Sequence, residues 1–120
     1  MKTALIEGQW MYRVDEKGRF PLPPKIRSEF GKKWILALDP ADYTITIFSL
    51  ETWQKMVSEA DDRVQLRMDW CPFENDIDAQ GRLTIPRRLR DLSQISQTII
   101  IVSVGDRLIL KNVQSYARRN

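Results

Sequence analysis

Histidine is absent from this 120-residue sequence, and cysteine occurs once, at Cys71. The missing histidine excludes His-activated nucleophiles, a His general base and every His metal site. A single cysteine excludes an internal disulfide and, without histidine, a structural Cys/His zinc site. It also favours a reducing compartment. We therefore expect a cytoplasmic protein that needs no metal ion or cofactor.

Long hydrophobic runs are absent too. No stretch approaches the roughly 20 apolar residues that a membrane span needs. The N-terminal MKTALIEGQW has one lysine and a very short apolar run, too little for a secretory signal. Charged residues make up 29% and hydrophobic residues 42%, an ordinary mixture for a soluble globular chain. The length suits one domain, or two small halves that share a core. We expect neither a membrane partner nor a small-molecule substrate.

What the sequence does contain is an internal repeat. Residues 12–30, YRVDEKGRFPLPPKIRSEF, align without a gap with residues 75–93, NDIDAQGRLTIPRRLRDLS, at an offset of 63 positions. Apolar positions keep this offset further along, so the chain consists of two copies of one unit of about fifty residues. Five pairs of residues inside the motif are identical: Asp15 and Asp78, Gly18 and Gly81, Arg19 and Arg82, Pro23 and Pro86, and Arg27 and Arg90.

Each copy begins with an extended segment and a turn. Trp10, Tyr12 and Val14 alternate with other residues at the period of a half-buried strand. An aspartate followed three positions later by glycine predicts a tight turn at 15–18 and again at 78–81. We expect each turn to close a twisted, bulged hairpin with the strand that follows it. The predicted structural turn residues are Asp15, Gly18, Asp78 and Gly81.

Short helices follow the turns. Pro24 suits the first turn of a helix that Gly31 ends, and the second copy repeats this helix from Pro86 to Leu92. The next strands are predicted at 34–38, 43–48, 98–104 and 107–111. Ser49 is a predicted N-cap of a helix that connects the copies. The predicted division is residues 1–54 for the first repeat, 55–72 for a helical connector and 73–120 for the second repeat.

Positive charge is concentrated near the first motif. Residues 12–33 carry seven Lys or Arg against three Asp or Glu, whereas residues 49–74 carry three against six. A basic face beside an acidic connector favours a polyanion as partner. A two-stranded ribbon fits the DNA major groove, and an arginine just after its turn can reach phosphates or guanine edges. The candidate DNA contacts are Arg13, Lys17, Arg19, Lys25, Arg27, Gln80, Arg82, Arg87 and Arg88, with Arg90 close by in the second copy.

Other interpretations of these residues stay open. Arg19 and Arg82 can bridge to Asp15 and Asp78 and hold the turns, with or without one edge of each guanidinium left for DNA. The two aspartates can also form a catalytic carboxylate pair across a pseudo-twofold axis. However, each already has a place in a turn, and no acid–base partner accompanies them, so we expect no enzyme. In a protein-only oligomeric scaffold, aromatic side chains would line a subunit interface, and we expect Trp70 to be exposed or at such an interface.

The doubled motif resembles the MraZ family, which belongs to the AbrB/SpoVT superfamily of swapped-hairpin DNA-binding proteins. The resemblance rests on D-x-x-G-R, an apolar-x-apolar-Pro segment and a [KR]-[IL]-R helix, written once at 15–27 and again at 78–90. It covers residues 8–119. It implies an α+β fold in which two tandem AbrB/SpoVT-like swapped-hairpin repeats form one β-rich, pseudo-dimeric domain with short helices.

The resemblance also implies a function. The family's members regulate transcription of the bacterial division and cell-wall gene cluster at repeated sites near their own promoter, and they assemble into rings. For this chain it implies two partners, double-stranded DNA and further copies of itself, on the nucleoid in the cytoplasm. The motif lysine and arginine map onto Lys17 and Arg19 and, in the second copy, onto Gln80 and Arg82, which predicts a stronger contact in the first copy. An antitoxin-like autorepressor is the alternative within the superfamily.

Overall fold

Among the described residues, both copies fold into the succession strand, strand, helix, strand and strand, and a further helix follows in the first copy. The computed structural model describes residues 8–59, 70–95 and 97–113. The first copy contains β1 (Gln9–Arg13), β2 (Arg19–Pro21), α1 (Pro24–Phe30), β3 (Lys33–Leu38), β4 (Ile45–Ser49) and α2 (Leu50–Glu59). The second contains β5 (Phe73–Asp76), β6 (Arg82–Thr84), α3 (Arg87–Ser93), β7 (Thr98–Val104) and β8 (Arg107–Asn112). The predicted β-rich α+β class is confirmed.

The two copies exchange strands. A six-stranded sheet has the order β1-β7-β8-β4-β3-β5, and β2 and β6 form a separate two-stranded ribbon. The first strand of each copy pairs antiparallel with the other copy, β1 with β7 and β5 with β3. The ribbon also joins the copies, because β2 pairs antiparallel with β6. This is the swapped, pseudo-dimeric arrangement that the repeat and its resemblance predict.

The predicted local hairpin is wrong beyond its turn. The turn itself closes, since the N–H of Asp15 donates to the carbonyl oxygen of Arg19 at 3.0 Å. The strand after the turn then leaves β1 and pairs with its equivalent in the other copy. Phe20 and Leu83 stand directly opposite each other in that ribbon, and neither has exposed surface. Pairing β2 with β6 buries both side chains in one core, which no local sequence signal specifies.

The core lies between the sheet and the ribbon, and both copies line it. Phe20 and Leu22 from the first copy and Leu83 and Ile85 from the second have no exposed surface. They pack in one cluster with the inward side chains of the long strands, including Trp34. Burial of one such side chain contributes about 1.5–3 kcal/mol to stability. Because the cluster is shared, neither copy encloses a complete core by itself.

A second, smaller cluster lies on the outer side of β3 and β4. The predicted cap is present, because the N–H of Thr52 donates to Ser49 Oγ at 3.1 Å and begins α2. Trp53 is buried with its ring centroid 5.3 Å from that of Phe48. Trp70 packs at 6.2 Å on the same phenylalanine and is half-buried rather than exposed, and its place at a subunit interface stays a prediction. Its indole completes the cover over this face of the sheet.

The short helices begin and end where the sequence predicts. Pro24 occupies the first turn of α1, and Gly31 ends the helix at φ 84°. Pro86 precedes α3, and Gln94 ends that helix in the left-handed region. Continuation of α2 beyond residue 59 and a C-terminal helix over 113–119 are predictions that fall largely outside the described residues. Within the described ranges, no helix has the length and apolar character to cross a membrane.

Candidate nucleic-acid interface

The first Asp-x-x-Gly-Arg turn is organised by its own aspartate. Oδ1 of Asp15 accepts hydrogen bonds from the backbone N–H groups of Lys17 at 3.0 Å and Arg19 at 2.8 Å. Oδ2 accepts a further bond from Nε of Arg19 at 2.6 Å. Gly18 takes φ 83°, which a residue with a Cβ adopts only at a cost. The aspartate therefore fixes both the turn and the direction of the arginine side chain.

The second turn repeats this geometry. Oδ1 of Asp78 accepts from the N–H groups of Gln80 and Arg82, both at 2.9 Å, and Oδ2 accepts from Nε of Arg82 at 2.9 Å. The side chain of Arg82 is 27% exposed and that of Arg19 is 31% exposed. In both copies the carboxylate bonds to Nε, so the two Nη groups of the guanidinium are left outside the pair. The two interpretations of these arginines are therefore compatible with each other. Each arginine holds its turn through Nε, and the Nη edge of its guanidinium is left for DNA.

Both aspartates are held ionised. The backbone N–H of Arg19 is the largest cause that lowers the pKa of Asp15 below 3.8. Burial is the second-largest effect and raises this pKa, but the Arg19 side chain and the Lys17 N–H lower it further and the net shift is downward. Equivalent groups of Arg82 and Gln80 lower the pKa of Asp78. A proton donor needs a pKa near the working pH. The geometry gives no support to a catalytic carboxylate pair.

Each turn is completed by backbone from the other copy. The carbonyl oxygen of Gly18 accepts a hydrogen bond from the N–H of Ile85 at 2.8 Å. At the equivalent position of the other copy, the carbonyl oxygen of Gly81 accepts a hydrogen bond from the N–H of Leu22 at 3.1 Å. These bonds attach the turn of one copy to the segment that leads into the short helix of the other. The motif is continuous in sequence but is assembled between the copies in space.

An arginine from the other copy also covers each glycine. A Cβ built on Gly18 would lie 2.7 Å from Nε of Arg90, and one built on Gly81 would collide with the guanidinium of Arg27. Arg90 Nε donates to the carbonyl oxygen of Ile85 at 3.1 Å. Nε of Arg27 is buried and, within the part of the chain that the structure describes, has no hydrogen-bond acceptor. Sequence reasoning missed this covering role, although the identity of the two arginines in both copies was a signal for it.

The two motif arginines share one face of the β2–β6 ribbon. In the register, Arg19 stands opposite Thr84, and Arg82 stands opposite Pro21. Because side chains alternate along a strand, these four residues lie on the face opposite to the core pair Phe20 and Leu83. Arg19 and Arg82 are diagonal neighbours on the two strands, so their Cα atoms lie roughly 7–8 Å apart. A two-stranded ribbon thus presents two guanidinium groups on its outer face.

The other predicted contacts lie at the end of β1, in the two turns and in the short helices α1 and α3. Six of them have exposed side chains: Arg13, Lys17, Lys25, Gln80, Arg87 and Arg88. Lys17 and Gln80 occupy the same place in the two turns, whereas Arg27 is half-buried over Gly81. As contacts to DNA, all nine residues stay predictions.

Asn75 is a supporting residue that the sequence did not single out. Its Nδ2 donates to the carbonyl oxygen of Thr84 at 2.9 Å, and its Oδ1 accepts from the N–H of Thr84 at 3.3 Å. The side chain thereby joins β5 to β6, in the way that a neighbouring strand would. The matching positions of the first copy are Tyr12 and Pro21, and proline has no N–H to donate.

Comparison with known proteins places this arrangement in one family. A family model described as "MraZ protein, putative antitoxin-like" matches residues 5–67 and 73–117. Among curated proteins, a "Transcriptional regulator MraZ" of Dehalococcoides mccartyi strain BAV1 is 32% identical over 110 residues, covering 84% of this chain and 78% of the relative. One of Syntrophomonas wolfei is 30% identical over 122 aligned positions, covering 94% of this chain and 85% of the relative. One of Thermoanaerobacter sp. strain X514 is 30% identical over 113 residues, covering 87% and 78%.

Proposed function

Since the chain belongs to the MraZ family, we propose that it is a transcriptional regulator that binds double-stranded DNA in a sequence-specific manner. The proposal rests on one observation, the placement of Arg19 and Arg82 side by side on the outer face of the ribbon. A two-stranded ribbon fits the major groove, where arginine donates two hydrogen bonds to O6 and N7 of guanine. Nε of each arginine is held by its aspartate, so the Nη groups face the groove from a fixed direction.

The surrounding cations support the proposal as phosphate contacts. Lys17, Lys25, Arg87 and Arg88 are exposed in the turn before β2 and in the helices that follow the ribbon strands, where they would meet the DNA backbone. Arg13 and Gln80 complete the proposed contact set. Arg27, half-buried over Gly81, acts in this proposal chiefly by holding the second turn in place.

We further propose repeated, promoter-proximal target sites in the division and cell-wall gene cluster, including the chain's own promoter. Curated relatives carry the name of transcriptional regulators, and the ribbon of one protomer presents two arginines as proposed base contacts. A homo-oligomer, such as a ring, gains affinity at repeated sites because the second contact is intramolecular. In this proposal the protein works on the nucleoid in the cytoplasm.

The test is a gel-shift titration on DNA from upstream of the chain's own gene, with scrambled competitor. Arg19→Ala is expected to weaken specific binding by about 1–3 kcal/mol. Arg19→Lys keeps the charge but loses the two-bond geometry, so it should retain non-specific binding and lose most discrimination. Arg107→Ala removes an arginine from the first position of β8, a strand of the large sheet rather than of the ribbon, and is the matched control. Unchanged specific affinity in Arg19→Ala would refute the assignment of the site.

A protein-only scaffold is the second candidate, and the Asp15–Arg19 and Asp78–Arg82 pairs favour it, because they already give each arginine a structural partner. Salt dependence separates the two candidates. DNA binding should weaken by about one log unit per phosphate contact for each decade of salt, whereas self-association through apolar contacts should not. An oligomer that binds no DNA at low salt would favour the scaffold. Co-purification of a second protein that relieves DNA binding would instead favour an antitoxin-like autorepressor.

A further inference from the structure

The strand exchange combines each turn with the short helix of the other copy. We call residues 13–19 with 85–90 the first pole and residues 76–82 with 22–27 the second pole. The contacts that define the first pole are the Ile85–Gly18 hydrogen bond and the cover of Gly18 by Arg90. Exposed residues of the turn and of the helix therefore lie next to each other within a pole, although they come from different copies.

The two poles carry different charges at matched positions. Identical pairs, such as Arg19 and Arg82, contribute equally and cancel in the comparison. The positions that differ in charge are occupied at the first pole by Arg13, Glu16, Lys17, Arg87 and Arg88. The matching residues of the second pole are Asp76, Ala79, Gln80, Pro24 and Lys25. The first pole thus has a net charge of +3 from these positions, and the second has none.

The exchange itself creates much of this difference. If each turn lay against the helix of its own copy, Lys17 would adjoin Lys25, and Gln80 would adjoin Arg87 and Arg88. The same positions would then give net charges of +2 and +1. The observed cross-copy contacts instead bring the cation-rich turn of the first copy to the cation-rich helix of the second. A reading of either copy alone does not reveal the resulting asymmetry.

Two of these positions lie at the flanks of the poles. Arg13 is exposed at the end of β1, and among the residues described in the structure it has no carboxylate partner. The matching position on β5 is Asp76, which together with Glu74 holds Lys33 at 3.3 and 3.7 Å. The exposed Lys32, whose carbonyl oxygen accepts a backbone hydrogen bond from the second pole, adds a second lysine, so these two lysines and two carboxylates carry no net charge.

We propose that each protomer anchors the DNA backbone mainly through the first pole, while the second pole supplies Arg82 to the groove with little phosphate support. This inference rests on the proposed function. It predicts that phosphate contacts are one-sided relative to the bases read by the ribbon. It also predicts that the position of a lysine matters more than the total charge of the protein.

The test exchanges one charge between the poles at constant composition. Lys17 and Gln80 occupy equivalent exposed turn positions and use only backbone N–H groups in their turns. Lys17→Gln should lower the slope of log affinity against log salt by about one and weaken binding. Gln80→Lys should restore little of this loss, so the double variant Lys17→Gln/Gln80→Lys should bind like Lys17→Gln despite its wild-type net charge. If the double variant binds like the wild type, the poles are equivalent and the inference is overturned.

A second measurement uses the helices. Arg88→Gln at the first pole should lower the salt slope by about one, and Lys25→Gln, its match at the second pole, should lower it clearly less. Phosphate ethylation interference on a DNA probe with one site should give the stronger interference at one end. Equal effects of Arg88→Gln and Lys25→Gln, or symmetric interference, would overturn the inference while leaving DNA binding intact. A wild-type protein that shows no salt-sensitive DNA binding would refute the proposed function itself, and the inference with it.

Discussion

Arg90 in the second copy lies directly over Gly18 in the first. A Cβ at position 18 would lie 2.7 Å from Nε of Arg90 and 2.8 Å from the carbonyl oxygen of Ile85. Gly18 is therefore required twice, once for its φ of 83° and once for the close approach of the other copy. The turn that directs Arg19 is in this way built by both halves of the chain.

The glycines of the two turns should differ in their tolerance of alanine. Gly81→Ala should cost about 1–2 kcal/mol for a Cβ at positive φ, since the atoms it meets belong to the flexible Arg27 side chain. Gly18→Ala should cost more, because it also meets the backbone oxygen of Ile85 at 2.8 Å. Urea unfolding of the purified variants measures both free energies.

Gly105→Ala is the control for that comparison. Gly105 has φ 62°, and a Cβ added there would meet no atom within 4 Å, so Gly105→Ala should show only the free-energy cost of a positive φ. We expect Gly105→Ala and Gly81→Ala to have similar free energies of unfolding and Gly18→Ala to have a clearly lower one. Equal losses at all three positions would mean that the approach of Ile85 to Gly18 does not constrain the turn.

The two covering arginines should also contribute unequally to stability. Nε of Arg90 donates to the carbonyl oxygen of Ile85, whereas Nε of Arg27 is buried without an acceptor among the described residues. Loss of a made hydrogen bond costs about 1 kcal/mol, and removal of an unpaired buried donor avoids a desolvation penalty. Arg90→Met should therefore destabilise the protein more than Arg27→Met in urea unfolding at neutral pH. The reverse order would show that Arg27 finds a partner in solution.

Much of the fold follows from the sequence because its signals are local. The N-cap at Ser49, the helix start at Pro24 and the stop at Gly31 each depend on one residue's backbone chemistry, and all are confirmed. The partner of β2 was not predictable in this way. A three-residue strand with one buried side chain fits several partners, and the shared burial of Phe20 and Leu83 decides among them.

The candidate site likewise combines local features that the sequence predicts with non-local contacts that it does not predict. The aspartate, glycine and arginine of each turn were predictable, since Asp-x-x-Gly is a local turn signal. That Arg90 covers Gly18 depends on strand exchange, which lies beyond any window of sequence. The packing of Trp70 on Phe48 was not predictable for a related reason, because the two residues are distant in the chain and meet only after the sheet has formed.

The acid stability of the protein should depend on the two turn aspartates. Hydrogen bonds from Arg19 and Arg82 lower the pKa of Asp15 and Asp78 in the folded state. A lowered folded-state pKa stabilises the protein above the unfolded value of 3.8, and this contribution is lost as the pH falls through the folded-state value. Asp15→Asn/Asp78→Asn should thus be less stable than wild type at neutral pH and should approach it as the pH falls below 3.8. The urea midpoints of wild type and variant across this pH range measure the convergence. A difference between the two midpoints that stays constant with pH would exclude the contribution of these aspartates to acid stability.

The Asn75 side chain should act as a substitute strand between β5 and β6. Both of its bonds go to the backbone of Thr84, at 2.9 and 3.3 Å, so Asn75→Ala should cost about 1–2 kcal/mol. Thr84→Ala is the control, since it keeps the backbone groups and should have a small effect. Asn75→Asp adds a pH test: an ionised carboxylate repels the Thr84 carbonyl oxygen, whereas a protonated one can donate to it. That variant should therefore lose stability as the pH rises from acid to neutral in urea unfolding. A pH-independent loss would mean that the amide does not bond to this strand.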